Sequence, residues 1–187
     1  SALSRLAHRG AVGGDGRSGD GCGLLIRRPE VFLRVVAAEA GIALGTEFAA
    51  GMVFLPLDAA QATLARTALT EALTGQGLRV AGWRLVPVSR EDCGPIALKG
   101  MPRIEQVFVN ADAGIADADF ERALYIGRRH AEKTLASIPE FYVVSLSAHT
   151  IGYKAMVLPD ALPALYPDLR RPELASSVVL FHQRFST

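Results

Sequence analysis

Apolar positions along the chain change period several times, and each change marks an element. Residues 24–26, Leu24-Leu25-Ile26, form a short continuous apolar run that reads as a strand. After Pro29, the residues Val31, Phe32, Val35, Val36 and Ala40 recur at helical spacing until Gly41. Proline in a first turn and glycine just past the last are the expected ends of such a helix. Residues 51–55 read as a buried strand, and Asp58 then caps a helix carrying Leu64, Ala65, Ala68, Leu69 and Ala72, which Gly75 and Gly77 stop. A strand over 78–88 holds Trp83. A loop through Gly94-Pro95 and Gly100 leads to residues 103–109, which alternate as a half-buried strand does. Asp117 opens a longer helix with Phe120, Leu124, Ala131 and Leu135 along one stripe. Strands over 141–148 and 150–158, a short helical segment over 162–166 and a last strand over 177–181 complete the pattern.

The glycine-dense stretch 10–23 reads as loop, because glycine costs conformational entropy inside a helix or strand. Residues 1–8 read as the tail of a helix without its start. Residues 182–187 leave a strand as a polar motif with no turn after it. Both ends therefore look cut. There is no internal repeat and no low-complexity linker, so residues 1–187 are assigned to one domain. The loose alternation of elements, with adjacent strands late in the chain, predicts an α+β class with a mostly antiparallel sheet.

Composition narrows the function classes. Half of the residues are hydrophobic and 21% are charged, the balance of an ordinary globular domain, and 187 residues suffice for one sizeable core. A net charge of +1 gives no reason to expect nucleic acid or an anionic membrane as partner. No apolar run approaches the ~20 residues of a membrane span, and no signal sequence opens the chain, so a cytoplasmic location is expected. Cys22 and Cys93 lack a CxxC spacing and the four histidines are dispersed, so neither a redox pair nor a metal site is indicated.

Several motifs carry chemistry only in the right context. Residues 14–19 match GxGxxG, but dinucleotide binding needs a strand before and a helix after, and here the order is inverted. Cys22 sits among glycines, where a nucleophilic thiol is conceivable, but no base stands at a fixed spacing. A small residue packed at a tight turn is the better reading. Ser1 precedes a helix-like run, unlike an N-terminal nucleophile, which is normally presented on a strand. His8-Arg9-Gly10 and His182-Gln183-Arg184 each place an arginine at an element boundary. Such an arginine is commonly a surface or capping group; alternatively it is a guanidinium fork for a carboxylate.

Taken in order, His8-Arg9-Gly10-Ala11, Gly19-Asp20-Gly21, residues 102–109, 141–147 and 150–154 and the terminal His182-Gln183-Arg184-Phe185-Ser186-Thr187 cover essentially the whole chain. Together they resemble the class II, N-terminal-nucleophile glutamine amidotransferases, in particular the glutaminase domain of glutamate synthase large subunits. The resemblance implies a four-layer αββα sandwich, incomplete here. It implies hydrolysis of glutamine to glutamate, with the ammonia passing to a site derived from 2-oxoglutarate elsewhere in the enzyme. It makes Arg184 the fork for the substrate α-carboxylate, with Ser186 and Thr187 beside it and Arg9 and Gly10 supporting the nucleophile's surroundings.

In that family a cysteine at the mature N-terminus attacks the amide, and an Asn-Gly pair forms the oxyanion hole. By the resemblance the first should lie upstream of Ser1 and the second beyond Thr187, so no catalytic residue is assigned and the 187 residues alone are expected to be inactive. Cys22 falls where the family usually has alanine. The missing nucleophile strand should leave an unpaired sheet edge through which the chain oligomerises or swaps strands. FMN and an iron–sulfur cluster are implied for the complete family enzyme, with ferredoxin or a pyridine nucleotide as reductant, and none of them for this chain. The expected partners are glutamine and the remaining synthase domains. The alternative is a catalytically silent module that uses the sandwich for binding or assembly.

Overall fold

The computed structural model describes residues 10–91 and 93–183. Strands β1 (Ser18–Arg27), β6 (Thr150–Val157) and β7 (Val179–Gln183) form one antiparallel sheet in the order β6-β1-β7. Strands β2 (Phe48–Leu55), β3 (Arg79–Leu85), β4 (Arg103–Asn110) and β5 (Tyr142–Ser147) form a second, also antiparallel, in the order β3-β4-β2-β5. Helices α1 (Glu30–Glu39), α2 (Ala59–Thr74), α3 (Pro95–Lys99), α4 (Asp117–Thr134) and α5 (Leu162–Leu165) join them. The structure is thus mixed α and β, as the pattern predicts.

Strand β2 shows how the two periods build the core. Its successive side chains point to opposite faces. Phe48, Ala50 and Met52 enter one apolar cluster with Cys22 and Ile26 of β1, Phe108 of β4 and Ile151 and Tyr153 of β6. Ala49, Val53 and Leu55 enter another, with Leu69 and Leu73 of α2 and Phe120, Leu124 and Ala131 of α4. The first cluster lies between the sheets, and α1 adds Phe32, Leu33, Val36 and Ala37 to it. The second joins α2 and α4 to the four-stranded sheet. Asp58 caps α2 as expected, its Oδ1 accepting the Gln61 N–H at 2.8 Å. Among the described residues, no helix is long and apolar enough to cross a membrane.

Four features depart from the sequence reading. The glycines of 19–23 lie inside β1 rather than in a loop. Their neighbours explain it: a Cβ on Gly19 would fall 2.7 Å from the Val157 carbonyl oxygen, and one on Gly23 would fall 2.7 Å from that of Tyr153. Close backbone approach selects glycine at 19 and 23, and a φ of 114° does so at Gly21. Strand β4 is buried along nearly its whole length rather than half-buried, because both of its faces meet a core. Glu105 is tolerated there by ion pairs to Arg66 and Arg103. On α2 the buried stripe runs through Ala62, Ala65, Leu69 and Leu73, and Leu64 faces solvent.

The fourth departure is α3, which stands where a loop was expected. Its N-terminal donors are met by distant side chains: Ile96 N–H donates to Asp15 Oδ2 (3.0 Å) and Ala97 N–H to Ser18 Oγ (3.0 Å).

Strand β7 ends the three-stranded sheet, and Val179, Leu180 and Phe181 are all exposed. Among the described residues no strand pairs with its outer edge. Leu25 and Leu180 are partners across β1 and β7 and are exposed together on one face.

Candidate functional site

The described residues of the two end segments, Gly10-Ala11 and His182-Gln183, lie at one end of the three-stranded sheet. Residues 10–20 fold back on themselves. Gly13 N–H donates to the Ser18 carbonyl (2.8 Å), Gly16 turns with φ 68°, and Val12 pairs with Gly19 in an isolated antiparallel bridge. Asp15 fixes the turn, accepting the Ser18 hydroxyl at 2.6 Å and the Ser18 N–H at 2.8 Å. Those bonds, with the Ile96 N–H, hold its carboxyl well below the usual carboxylate range.

Asp20 carries the next link. Its Oδ1 accepts the Ala11 N–H at 3.1 Å, and its own N–H donates to the Ala11 carbonyl at 3.3 Å. The carboxylate thereby fastens the segment after Gly10 to the start of β1. On the other side of β1, Cys22 pairs with Gln183 of β7. A Cβ on Gly10 would fall 2.3 Å from Gln183 Nε2 and 3.0 Å from Asp20 Oδ1. The backbone of Gly10 thus lies directly against the side chain of Gln183, and only glycine permits that approach without displacing it.

Of the predicted site residues, Gly10 is placed at this junction. Arg9, Arg184, Ser186 and Thr187 lie outside the described residues. Asp20 and Gln183 are additions: the sequence shows them as members of two motifs, but only the fold shows that they converge on Gly10.

Cys22 fits its bland reading. It is fully buried in the inter-sheet core, and burial pushes its thiol up to about 12, far from a nucleophile's range. His182 lies over Gly23, where a Cβ would fall 2.6 Å from its Cε1; burial and then the Lys154 charge hold its imidazole below the ordinary value. Residues 14–19 run from a turn into β1 with no helix following, so the glycine spacing does not build a dinucleotide site.

Among the described residues no cluster of three or more histidine, cysteine or acidic side chains could hold a metal ion. Cys22 and Cys93 are the chain's cysteines, too few for the thiolate set of an iron–sulfur cluster, and both are buried. Among the described residues no set suits that group.

Comparison with known proteins gives this geometry a family. The family described as "Glutamine amidotransferases class-II" matches residues 1–187. The glutamate synthase [NADPH] large chain of Azospirillum brasilense is 39% identical over all of this chain and 12% of its own length. The ferredoxin-dependent glutamate synthase 2, chloroplastic, of Arabidopsis thaliana is 40% identical over the same shares. The glutamate synthase [NADPH] large chain of Bacillus subtilis is 35% identical over 99% of this chain and 12% of its own. The chain therefore spans 12% of the length of the curated relatives it matches. With Gly10 packed against Gln183 and the family match running over residues 1–187, the chain belongs to the class-II glutamine amidotransferases.

Proposed function

We propose that this chain is the glutaminase domain of a glutamate synthase large chain, in which glutamine is hydrolysed to glutamate and the ammonia serves reductive glutamate synthesis from 2-oxoglutarate. The observation that carries the proposal is the packing of Gly10 against Gln183. In the sequence Arg9 adjoins Gly10 and Arg184 adjoins Gln183. In this reading the Arg184 guanidinium takes the substrate α-carboxylate through two parallel N–H donors, Ser186 and Thr187 line the pocket, and Arg9 and Gly10 support the nucleophile.

The reading places the attacking thiol and the Asn-Gly oxyanion donors outside these 187 residues. Removing a nucleophile from a coupled catalytic unit costs on the order of 10⁶ in rate, so the 187 residues alone release no ammonia from glutamine. A cytoplasmic location, FMN and iron–sulfur chemistry in the rest of the polypeptide and a four-layer sandwich belong to the same proposal. The exposed pair Leu25 and Leu180 supports a further layer over the three-stranded sheet. The edge of β7, unpaired among the described residues, supports self-association of the 187 residues on their own.

The test compares ammonia release from glutamine by the 187-residue chain and by the full-length polypeptide. Release by the longer protein, abolished by a thiol alkylating reagent and absent from the shorter one, is the expected result. Thiol-dependent release by the 187 residues overturns the assignment of the nucleophile. No release by either favours a silent binding module.

A further inference from the structure

Strand β1 breaks its register with β6 at one place, and Asp20 sits there. Ser18 pairs with Val157 and Cys22 with Ala155, so Gly19, Asp20 and Gly21 stand opposite Met156 alone. Gly21 completes the bulge with a φ of 114°, which glycine adopts and other residues rarely do. Bulges bend a strand and re-aim a side chain, and they are over-represented beside active sites. The side chain at the centre of this one belongs to Asp20. Pairing of β1 with β7 begins at Cys22 and Gln183, so Asp20 lies just past it, at the sheet end where Gly10 is found.

From that position Asp20 holds backbone that belongs to the site. Its Oδ1 accepts the Ala11 N–H at 3.1 Å and lies 3.0 Å from where a Cβ on Gly10 would stand. Gln183 Nε2 is 2.3 Å from the same point. Gly10 is therefore gripped between a side chain from the bulge and one from β7. The clasp lies at the surface rather than in a core: Ala11 is exposed, and Gly10, Asp20 and Gln183 are half-buried. The rest of the turn has its own anchor. Asp15 takes the Ser18 hydroxyl and N–H and the Ile96 N–H, which tie the turn to α3 without Asp20.

We propose that Asp20 is a positioning residue of the glutamine site. Its carboxylate oxygen holds the Ala11 amide, keeps the Gly10 backbone seated against Gln183 and so fixes the wall of the pocket that glutamine enters. Asp20 acts through Gly10 and Gln183 and touches no substrate itself. A group held in place by such a clasp binds with less ordering to be done on arrival of the ligand, so loss of the clasp weakens binding before it slows chemistry. The inference rests on the glutaminase reading and adds to it a residue that acts on substrate affinity from outside the pocket.

The test uses the full-length polypeptide carrying Asp20→Ala, Asp20→Asn or, as a control that loses only the cap of α2, Asp58→Ala. Ammonia release is measured against glutamine concentration, and a urea midpoint is taken for each variant. Asp20→Ala is expected to raise KM for glutamine about tenfold with kcat within a few fold of the parent. Asp20→Asn keeps a carbonyl oxygen for the Ala11 N–H, and its KM should return to within about threefold of the parent. Asp58→Ala should lower the urea midpoint and leave KM where it was. An unchanged KM in Asp20→Ala overturns the proposal. So does a KM that rises equally in Asp58→Ala, an Asp20→Asn as impaired as Asp20→Ala, or an Asp20→Ala protein that does not fold. A parent that releases no ammonia sinks the glutaminase reading and this inference with it, whereas an active parent with an indifferent Asp20 sinks this inference alone.

Discussion

Arg84 and Asp168 form a buried bidentate ion pair, with Nη1 at 2.7 Å from Oδ2 and Nη2 at 2.8 Å from Oδ1. Nη1 also donates to Gln106 Oε1 at 2.8 Å. The pair ties the turn Pro167–Arg170 to β3 and so holds down the segment that carries Tyr166, whose ring packs edge-on to Tyr153 at 5.2 Å between centroids. Arg84→Met leaves the Asp168 charge buried without its partner and is expected to cost about 3–5 kcal/mol. The double variant Arg84→Met with Asp168→Leu should recover most of that loss, since two apolar groups need no partner. Urea unfolding followed through Trp83, the chain's one tryptophan and Arg84's neighbour, measures both. Equal losses in the single and double variants would contradict the account.

Gly23 and Gly10 are both crowded, but by different atoms. A Cβ on Gly23 meets the Tyr153 carbonyl oxygen at 2.7 Å as well as the His182 ring, and backbone does not yield cheaply. Gly23→Ala should therefore destabilise the domain by about 1–3 kcal/mol, read as a lowered urea midpoint. A Cβ on Gly10 meets the far end of the Gln183 side chain, which can move. Gly10→Ala should cost less than about 1 kcal/mol, yet raise KM for glutamine in the full-length enzyme by disturbing the site. A larger stability loss at Gly10 than at Gly23 would reverse the argument.

Parts of the fold were legible in the sequence for local reasons. The ends of α1 and α2 follow from Gly41, with φ 71°, and from the Asp58 cap, while α4 follows from the stripe through Phe120, Leu124 and Ala131. What was not legible depends on distant contacts. The caps of α3 come from Asp15 and Ser18, far away in the chain, and Glu105 is buried only because Arg66 and Arg103 come to it. The glycines of β1 read as loop because the carbonyls of Val157 and Tyr153 that exclude a side chain belong to another strand. The site was legible as motifs. The junction of Gly10, Asp20 and Gln183 required the pairing of β1 with β7.

Asp15 predicts an acid dependence with a definite sign. Its carboxyl lies well below the usual carboxylate range because of the Ser18 hydroxyl, the Ile96 N–H and the Ser18 N–H, in that order. A depressed folded value means that the stabilisation is fully present above the unfolded value and is lost as pH falls through the folded one. The stability difference between the parent and Asp15→Asn should shrink from about pH 5 to about pH 3, measured as urea midpoints. A difference that stays constant or grows on acidification would show that these bonds do not favour the ionised form.

Cys22 should be inert while the fold is intact. With its thiol pushed up to about 12 by burial, the thiolate at pH 8 is on the order of one part in ten thousand. Alkylation followed by peptide mass spectrometry should reach Cys22 only as the domain unfolds. Modification of native protein at the rate of a free cysteine would place the residue elsewhere than on the inward face of β1.

The most direct measurement of the central claim is the steady-state kinetics of glutamine hydrolysis by the full-length polypeptide with Arg184→Lys. A lysine keeps the charge but loses the paired donors, a loss of about 1.5–3 kcal/mol of ground-state binding. The account predicts that KM for glutamine rises by roughly 10- to 100-fold while kcat stays within a few fold, as for a group that binds substrate and transition state alike. A variant whose KM for glutamine is unchanged would show that Arg184 does not hold the α-carboxylate, and that the junction of Gly10 and Gln183 is not the glutamine site.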